Sequence, residues 1–348
     1  MAWCCLARRV GEHGGVIASV AFRNFKALRN AHLALAPFNL VIGPNGSGKT
    51  SLVQAMMRLR TLSALPLREP IPREAREVSN GPEITFRFLP PFEMTEAVLA
   101  CESDVRCDLL QVTPADEGWP RLRERIQGMR SYVLDHREIA NAARADEGDE
   151  LASDGHNLAA VIARLQSQHS ENYAAMRDEL VRILPEYADI ACAPGRDGLI
   201  ELGLILKGGS ERIVGDAISQ GSLYLLALLA LAFHPAPPTV LCIEEVDRGF
   251  HPRLLREVRD VLYRLSHPTS FGWKRDPVQV IATTHSPYLL DLFGDHPEEV
   301  VISAKHGTAA TFSRLADRAD LQDLLAEGTL GDMWYTGILG GVPEETHE

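Results

Sequence analysis

Gly43-Pro44-Asn45-Gly46-Ser47-Gly48-Lys49-Thr50 decides how the rest of the chain is read. It fits G-x-x-x-x-G-K-[ST] at every fixed position, the pattern of a loop that wraps phosphate. Its flanks agree. Asn39-Leu40-Val41-Ile42 is apolar and β-branched, as a buried strand is, and Ser51-Leu52-Val53-Gln54-Ala55-Met56-Met57 starts a helix. Strand, glycine loop and helix bring backbone N–H groups and a helix N-terminus onto phosphate oxygens. Glycines allow the close approach that a Cβ would block. The expected nucleotide contacts are Asn45, Gly46, Ser47, Gly48, Lys49, Thr50 and Ser51. Lys49 reaches the β- and γ-phosphates of ATP, and the Thr50 hydroxyl ligates Mg²⁺.

Three later stretches narrow this. Val240-Leu241-Cys242-Ile243-Glu244-Glu245 is an apolar strand ending in two acids. The first, Glu244, suits the Mg²⁺ shell. The second, Glu245, suits orienting and deprotonating the attacking water. Gln279-Val280-Ile281-Ala282-Thr283-Thr284-His285-Ser286 is a second buried strand, and His285 at its end can contact the γ-phosphate or the water. Ile218-Ser219-Gln220-Gly221-Ser222 precedes the apolar run Leu223–Phe233. Ser219 and Gly221 at a helix N-terminus form an anion site; an ordinary N-cap is the plain alternative.

The whole chain sets bounds. Its 348 residues suit two lobes or one large α/β domain. A hydrophobic content of 45% supports a full core, and a net charge of −12 opposes non-specific nucleic-acid binding by the bulk surface. The six cysteines show no C-x-x-C pair or zinc spacing, which fits a reducing cytosol. No apolar run is long enough to span a membrane. The expected domains are a disordered leader at 1–15 and an N-terminal lobe with an antiparallel subsheet at 16–137. A helical lobe and hairpin at 138–215 and a C-terminal lobe at 216–348 follow. Within them, 141–155 reads as a mobile acidic loop, and Asn157 as the cap of a helix with apolar positions Leu158, Val161, Ile162 and Leu165.

The order of these motifs resembles that of ABC-type ATPase heads. The resemblance is nearer to the RecF/SMC-like branch, in particular to stand-alone AAA-family ATPases related to the ATPase half of OLD-family nucleases. It is carried by Phe22-Arg23-Asn24-Phe25-Lys26-Ala27-Leu28, the phosphate loop, Ser153-Asp154-Gly155-His156-Asn157-Leu158 and the Ser219 segment. Ile243 to Pro252, Thr283-Thr284-His285-Ser286-Pro287 and Leu330-Gly331-Asp332-Met333-Trp334-Tyr335 complete it. It implies an α/β P-loop NTPase of ABC-head type, with a mixed central sheet, an antiparallel β subsheet and a short helical lobe.

The resemblance also implies ATP hydrolysis in a head-to-tail homodimer or higher oligomer, where one phosphate loop meets Ser219 and Gly221 of the other copy. The chain departs from the branch in places. Gln220 and Ser222 stand where Asp and Thr are usual, Glu244 where many heads have Asp, and Asp247-Arg248 where Glu-Asn is common. Asp135-His136-Arg137 occupies the place of the glutamine loop. The separation of 195 positions from Lys49 to Glu244 leaves room for a short helical arm, not a chromosome-tethering rod. The 63 residues after His285 are too few for a TOPRIM nuclease domain. The expected role is a cytoplasmic sensor or assembly ATPase for a separately encoded effector, a nuclease in anti-phage defence or DNA repair. A RecF-like DNA clamp and a nucleotide-dependent scaffold are the alternatives. The arginines of 121–137 are the candidate local basic patch for DNA, with a solvated charged helix as the plain reading.

Overall fold

Four short apolar runs lie buried side by side and carry the central sheet. They are β3 (Phe38–Ile42), β12 (Val240–Ile243), β13 (Gln279–Thr284) and the start of β14 (Val300–His306). Strands buried on both faces read as continuous apolar runs, which is why three of them were legible. The computed structural model describes residues 15–67, 81–104, 106–209 and 211–340. The expected leader at 1–15 thus falls outside the described residues, apart from Gly15.

The chain divides into two units, the first comprising 1–131, 238–246 and 266–348. Its central sheet has the order β15-β14-β3-β13-β12-β7, with β15 (Ala309–Arg314) and β7 (Arg130–Tyr132) at the edges. β3 is parallel to β13 and β14, and β13 to β12, while β15 returns antiparallel, so the sheet is mixed. A second, antiparallel sheet has the order β2-β1-β4-β5-β6. Its strands are β1 (Ile17–Phe25), β2 (Leu28–Ala34), β4 (Glu83–Phe88), β5 (Glu96–Cys101) and β6 (Cys107–Thr113). Its inner residues Phe22, Phe86, Leu99 and Leu110 join Leu52, Met56 and Leu59 of the helix Lys49–Ser63 in one core.

Gln279 ties the two sheets. Its Oε1 accepts from Ile17 N at 3.0 Å, and its Nε2 donates to Ile17 O at 2.8 Å. A fully buried amide needs such partners. Cys101 and Cys107 face each other across β5–β6 and form a disulfide, a pairing the cysteine spacing had not indicated.

The second unit comprises 132–237 and 247–265. The apolar helix Gln220–Phe233 is buried from Ser222 onward. Among its neighbours are the helices Leu158–Gln168 and Ser170–Ile183. β10 (Leu199–Leu206) pairs with β9 (Tyr187–Pro194) and, in two pieces, with β8 (Ala143–Arg144) and β11 (Arg212–Val214). Two expectations change here. Asn157 makes no side-chain cap. Its amide instead binds Glu150 O and Ala152 N, both at 2.8 Å, and so secures the segment expected to be a mobile loop.

Candidate phosphate site

Parallel pairing sets three strand ends on one edge. The register Thr284↔Ile42 sets His285 level with Gly43, and Ile243↔Ala282 sets Glu244 level with Thr283. Ligands of open α/β sheets bind at such carboxyl ends. Gly48 precedes the helix Lys49–Ser63 at φ 101°, and Gly46 is at φ 74°. Both angles favour glycine. A Cβ on Gly43 would stand 2.3 Å from Ser303 O, so only glycine fits there.

Lys49 is buried, and its Nζ donates to Gly43 O at 2.7 Å and Pro44 O at 2.9 Å. Burial lowers it from 10.5 to about 8, against the upward pull of Glu245 and Glu244. A group whose folded pKa is depressed holds fewer protons folded than unfolded between those values. Stability of the nucleotide-free protein is therefore expected to rise with pH between about 8 and 10.5. Phosphate favours the ammonium form, so ATP affinity should fall above that pKa, approaching tenfold per pH unit. Calorimetric titrations at about pH 7.5 and about pH 9.5 measure this linkage. Equal affinities would place Lys49 away from the phosphates.

The two strand-end acids differ in setting. Thr50 Oγ1 donates to Glu244 Oε2 at 2.6 Å. The pair juxtaposes two hard oxygen donors at the start of the helix, a set that suits Mg²⁺. No group of three or more His, Cys, Asp or Glu side chains able to hold a metal occurs among the described residues. The remaining oxygens of such a shell would come from phosphate and water. Among the described residues, buried Ser47 Oγ has no hydrogen-bond partner, a further unmet polar atom inside the loop. These features fit ATP with Mg²⁺.

Glu245 is exposed and has φ 50°, unusual for a residue with a Cβ. Such a conformation costs about 1 kcal/mol or more and persists where neighbours hold it. Thr283 does so: its Oγ1 accepts from Glu245 N at 2.9 Å, and its carbonyl accepts from Val246 N at 3.0 Å. In the sequence Thr283 enters only as part of the strand and its motif, with no role of its own. His285 is exposed, directly beyond β13. Asn45 and Gly46 are exposed at the loop crown, and Ser51 is half-buried in the helix.

Ser219 and Gly221 belong to the second unit. Ser219 is the N-cap of the helix Gln220–Phe233, and its Oγ accepts from Ser222 N at 3.2 Å. Gly221 lies under the loop that follows the acids; a Cβ on it would meet Gly249 O at 3.1 Å. Three arginines of the candidate basic patch have protein partners. Arg123 donates to Ala64 O at 2.8 Å and Arg130 to Met129 O at 2.9 Å, while Arg125 is 3.8 Å from Asp276. The first of these serves the carbonyl end of the helix Lys49–Ser63.

Residues 38–291 match the family described as "AAA domain, putative AbiEii toxin, Type IV TA system". The chain belongs to this family. This AAA domain also matches DNA replication and repair protein RecF of Erwinia tasmaniensis, 48% identical over 44 residues, or 12% of each chain. It is 31% identical to the OLD nuclease of Thermus scotoductus over 104 residues, 28% of this chain and 20% of that one. It thus spans a small part of both relatives' lengths.

Two solved structures cover most of it. An Smc head bound to the C-winged helix domain of ScpA superposes with a TM-score of 0.56 at 14% identity, covering 85% of this chain and 96% of that one. The Pyrococcus furiosus Smc head with an extended coiled coil, bound to the C-terminal domain of ScpA, gives 0.53 at 12% identity, covering 89% and 98%. The AAA domain therefore has the α/β P-loop ATPase fold of SMC and ABC heads, mixed sheet and antiparallel subsheet included. Among the described residues, no helix is long and apolar enough to cross a membrane.

Proposed function

We propose that this chain binds ATP with Mg²⁺ and hydrolyses it between two copies facing head to tail. The observation that carries the reading is the 2.6 Å contact between Thr50 and Glu244, with Glu245 next in the chain. A phosphate-loop hydroxyl and a strand-end carboxylate meet there, as a shared metal shell requires. Lys49 and the backbone of Asn45–Ser51 hold the phosphates. Thr50 and Glu244 hold Mg²⁺, which when bound neutralises charge on the β- and γ-phosphate oxygens. Glu245 orients the attacking water and takes its proton as the oxygen approaches phosphorus. His285 contacts the γ-phosphate. Ser219 and Gly221 of the second copy close the site, so assembly and turnover are one event.

Such a subunit suits a sensor or assembly role for a separately encoded effector. A nuclease is the effector class that the OLD relative suggests, in anti-phage defence or DNA repair. The engagement of Arg123, Arg125 and Arg130 with protein partners weighs against a DNA clamp built on that patch. Steady-state ATPase assays, with and without DNA, and light scattering with ATP test the reading. ATP hydrolysis with an ATP-dependent dimer supports it; strong DNA stimulation of the isolated chain favours the clamp.

Ser219→Arg is expected to keep ATP binding and lose dimer closure and turnover. Its bulk would occupy the slot for the partner's γ-phosphate. If Ser219 were only an N-cap, turnover would persist with a stability loss of ~1 kcal/mol. Comparing ATPase rate with melting temperature separates the two.

A further inference from the structure

β14 lies parallel to β3, with Val300–Ile302 opposite Leu40–Ile42. The next residues of β14 therefore run beside the phosphate loop. Ser303 and Lys305 are two apart and so lie on the same face of the strand. Ser303 is fully buried, and its Oγ donates to Ser47 O at 2.6 Å. It is a strut under the loop. Lys305 is exposed and reaches the crown: its Nζ lies 3.8 Å from the point where a Cβ on Gly46 would stand. The backbone of Lys305 pairs with β15 opposite Ala310, but its ammonium makes no hydrogen bond or ion pair with any described residue. Gly46 leaves the space between that ammonium and the loop open.

We propose that Lys305 is a second phosphate-binding cation, contacting the β- and γ-phosphates from the crown of the loop. The inference rests on the ATP reading and names a residue that the phosphate-loop pattern does not contain. Charge supports it. Lys49 is the cation of the loop itself, and it already feels Glu244 and Glu245. A nucleoside triphosphate adds several negative charges to that pair of carboxylates. A second ammonium on a flexible stem, with no acidic partner to leave, can meet them at small cost. Lys49 Nζ sits at the Gly43–Pro44 start of the loop, and a phosphate-loop lysine marks the β/γ end of the nucleotide. Gly46 is only two residues beyond Pro44, so Lys305 faces the same end.

The test is ATP affinity, by calorimetry, of the full chain and of Lys305→Ala, Lys305→Arg and Lys49→Ala, with melting temperatures without nucleotide. Lys305→Ala should weaken ATP about 5- to 20-fold, as loss of one partly exposed charge-assisted contact does, and leave the melting temperature unchanged. Lys305→Arg should stay within about twofold of the unaltered chain, because the charge and reach are kept. Unchanged affinity in Lys305→Ala, with binding lost in Lys49→Ala, overturns this inference alone. Equal weakening by alanine and arginine also overturns it, since charge would then not be the cause. An unaltered chain that binds no ATP removes both this inference and the ATP reading.

Discussion

Lys49→Ala is expected to abolish measurable ATP binding while the fold stands. Lys49 is buried, yet among the described residues its ammonium hydrogen-bonds only to Gly43 O and Pro44 O. Those carbonyls lie at the mouth of a loop whose crown is open, so water can replace the ammonium. The side chain fills no apolar core space, and its removal opens no cavity among Leu52, Met56 and Leu59. Burial already holds its pKa near 8, which means the charged form is not stabilised by the fold itself. Its stabilisation comes with phosphate. Two charge-assisted hydrogen bonds to phosphate, at about 1.5–3 kcal/mol each, correspond to a loss on the order of 10²-fold or more. Calorimetry with ATP and a thermal melt without it measure the two halves of the expectation. Normal affinity would remove the phosphate loop from the function; a collapsed melt would make Lys49 structural.

Much of this was legible because the informative residues are local. The glycines of 43–48, Lys49 and Thr50 act through backbone geometry within eight positions, so the pattern carries its own context. β12 and β13 are buried on both faces and show as apolar runs ending at Glu244 and His285. The helix Gln220–Phe233 shows for the same reason. What stayed hidden depends on distant partners. Gln279 reads as a polar start to a strand until Ile17 is set beside it. Thr283 and Ser303 read as strand filler until they hold Glu245 N and Ser47 O.

Residues with several possible jobs were misjudged. Asn157 stands where a cap is expected but spends its amide on the preceding segment. β5 lacks a clean polar–apolar alternation, since Ala97, Val98 and Leu99 are all buried, so hydropathy alone does not mark it as a strand of a two-faced sheet. β1 and β2 meet in a tight turn where Asn24 and Lys26 adopt positive φ, a conformation that hydropathy does not reveal.

Glu245→Gln is expected to bind ATP and Mg²⁺ normally, hydrolyse very slowly and accumulate as a closed dimer. The amide keeps the shape of the carboxylate and can still hydrogen-bond water, but it cannot accept the proton. A general base contributes typically ~10²–10⁴-fold, so turnover should fall by about that factor. The backbone of Glu245 is held by Thr283, whose Oγ1 accepts from Glu245 N, so the substitution should leave the turn in place. Glu244→Gln should differ. Its Oε2 accepts from Thr50 Oγ1, and loss of the negative charge weakens the Mg²⁺ shell that the pair would hold. That variant should lose the metal-dependent part of nucleotide affinity and should not trap the dimer. Light scattering with ATP and Mg²⁺, set beside steady-state turnover, distinguishes the adjacent acids. A trapped dimer from Glu244→Gln and none from Glu245→Gln would reverse the two roles. Turnover unchanged in both would mean that the strand-end acids do not serve hydrolysis at all.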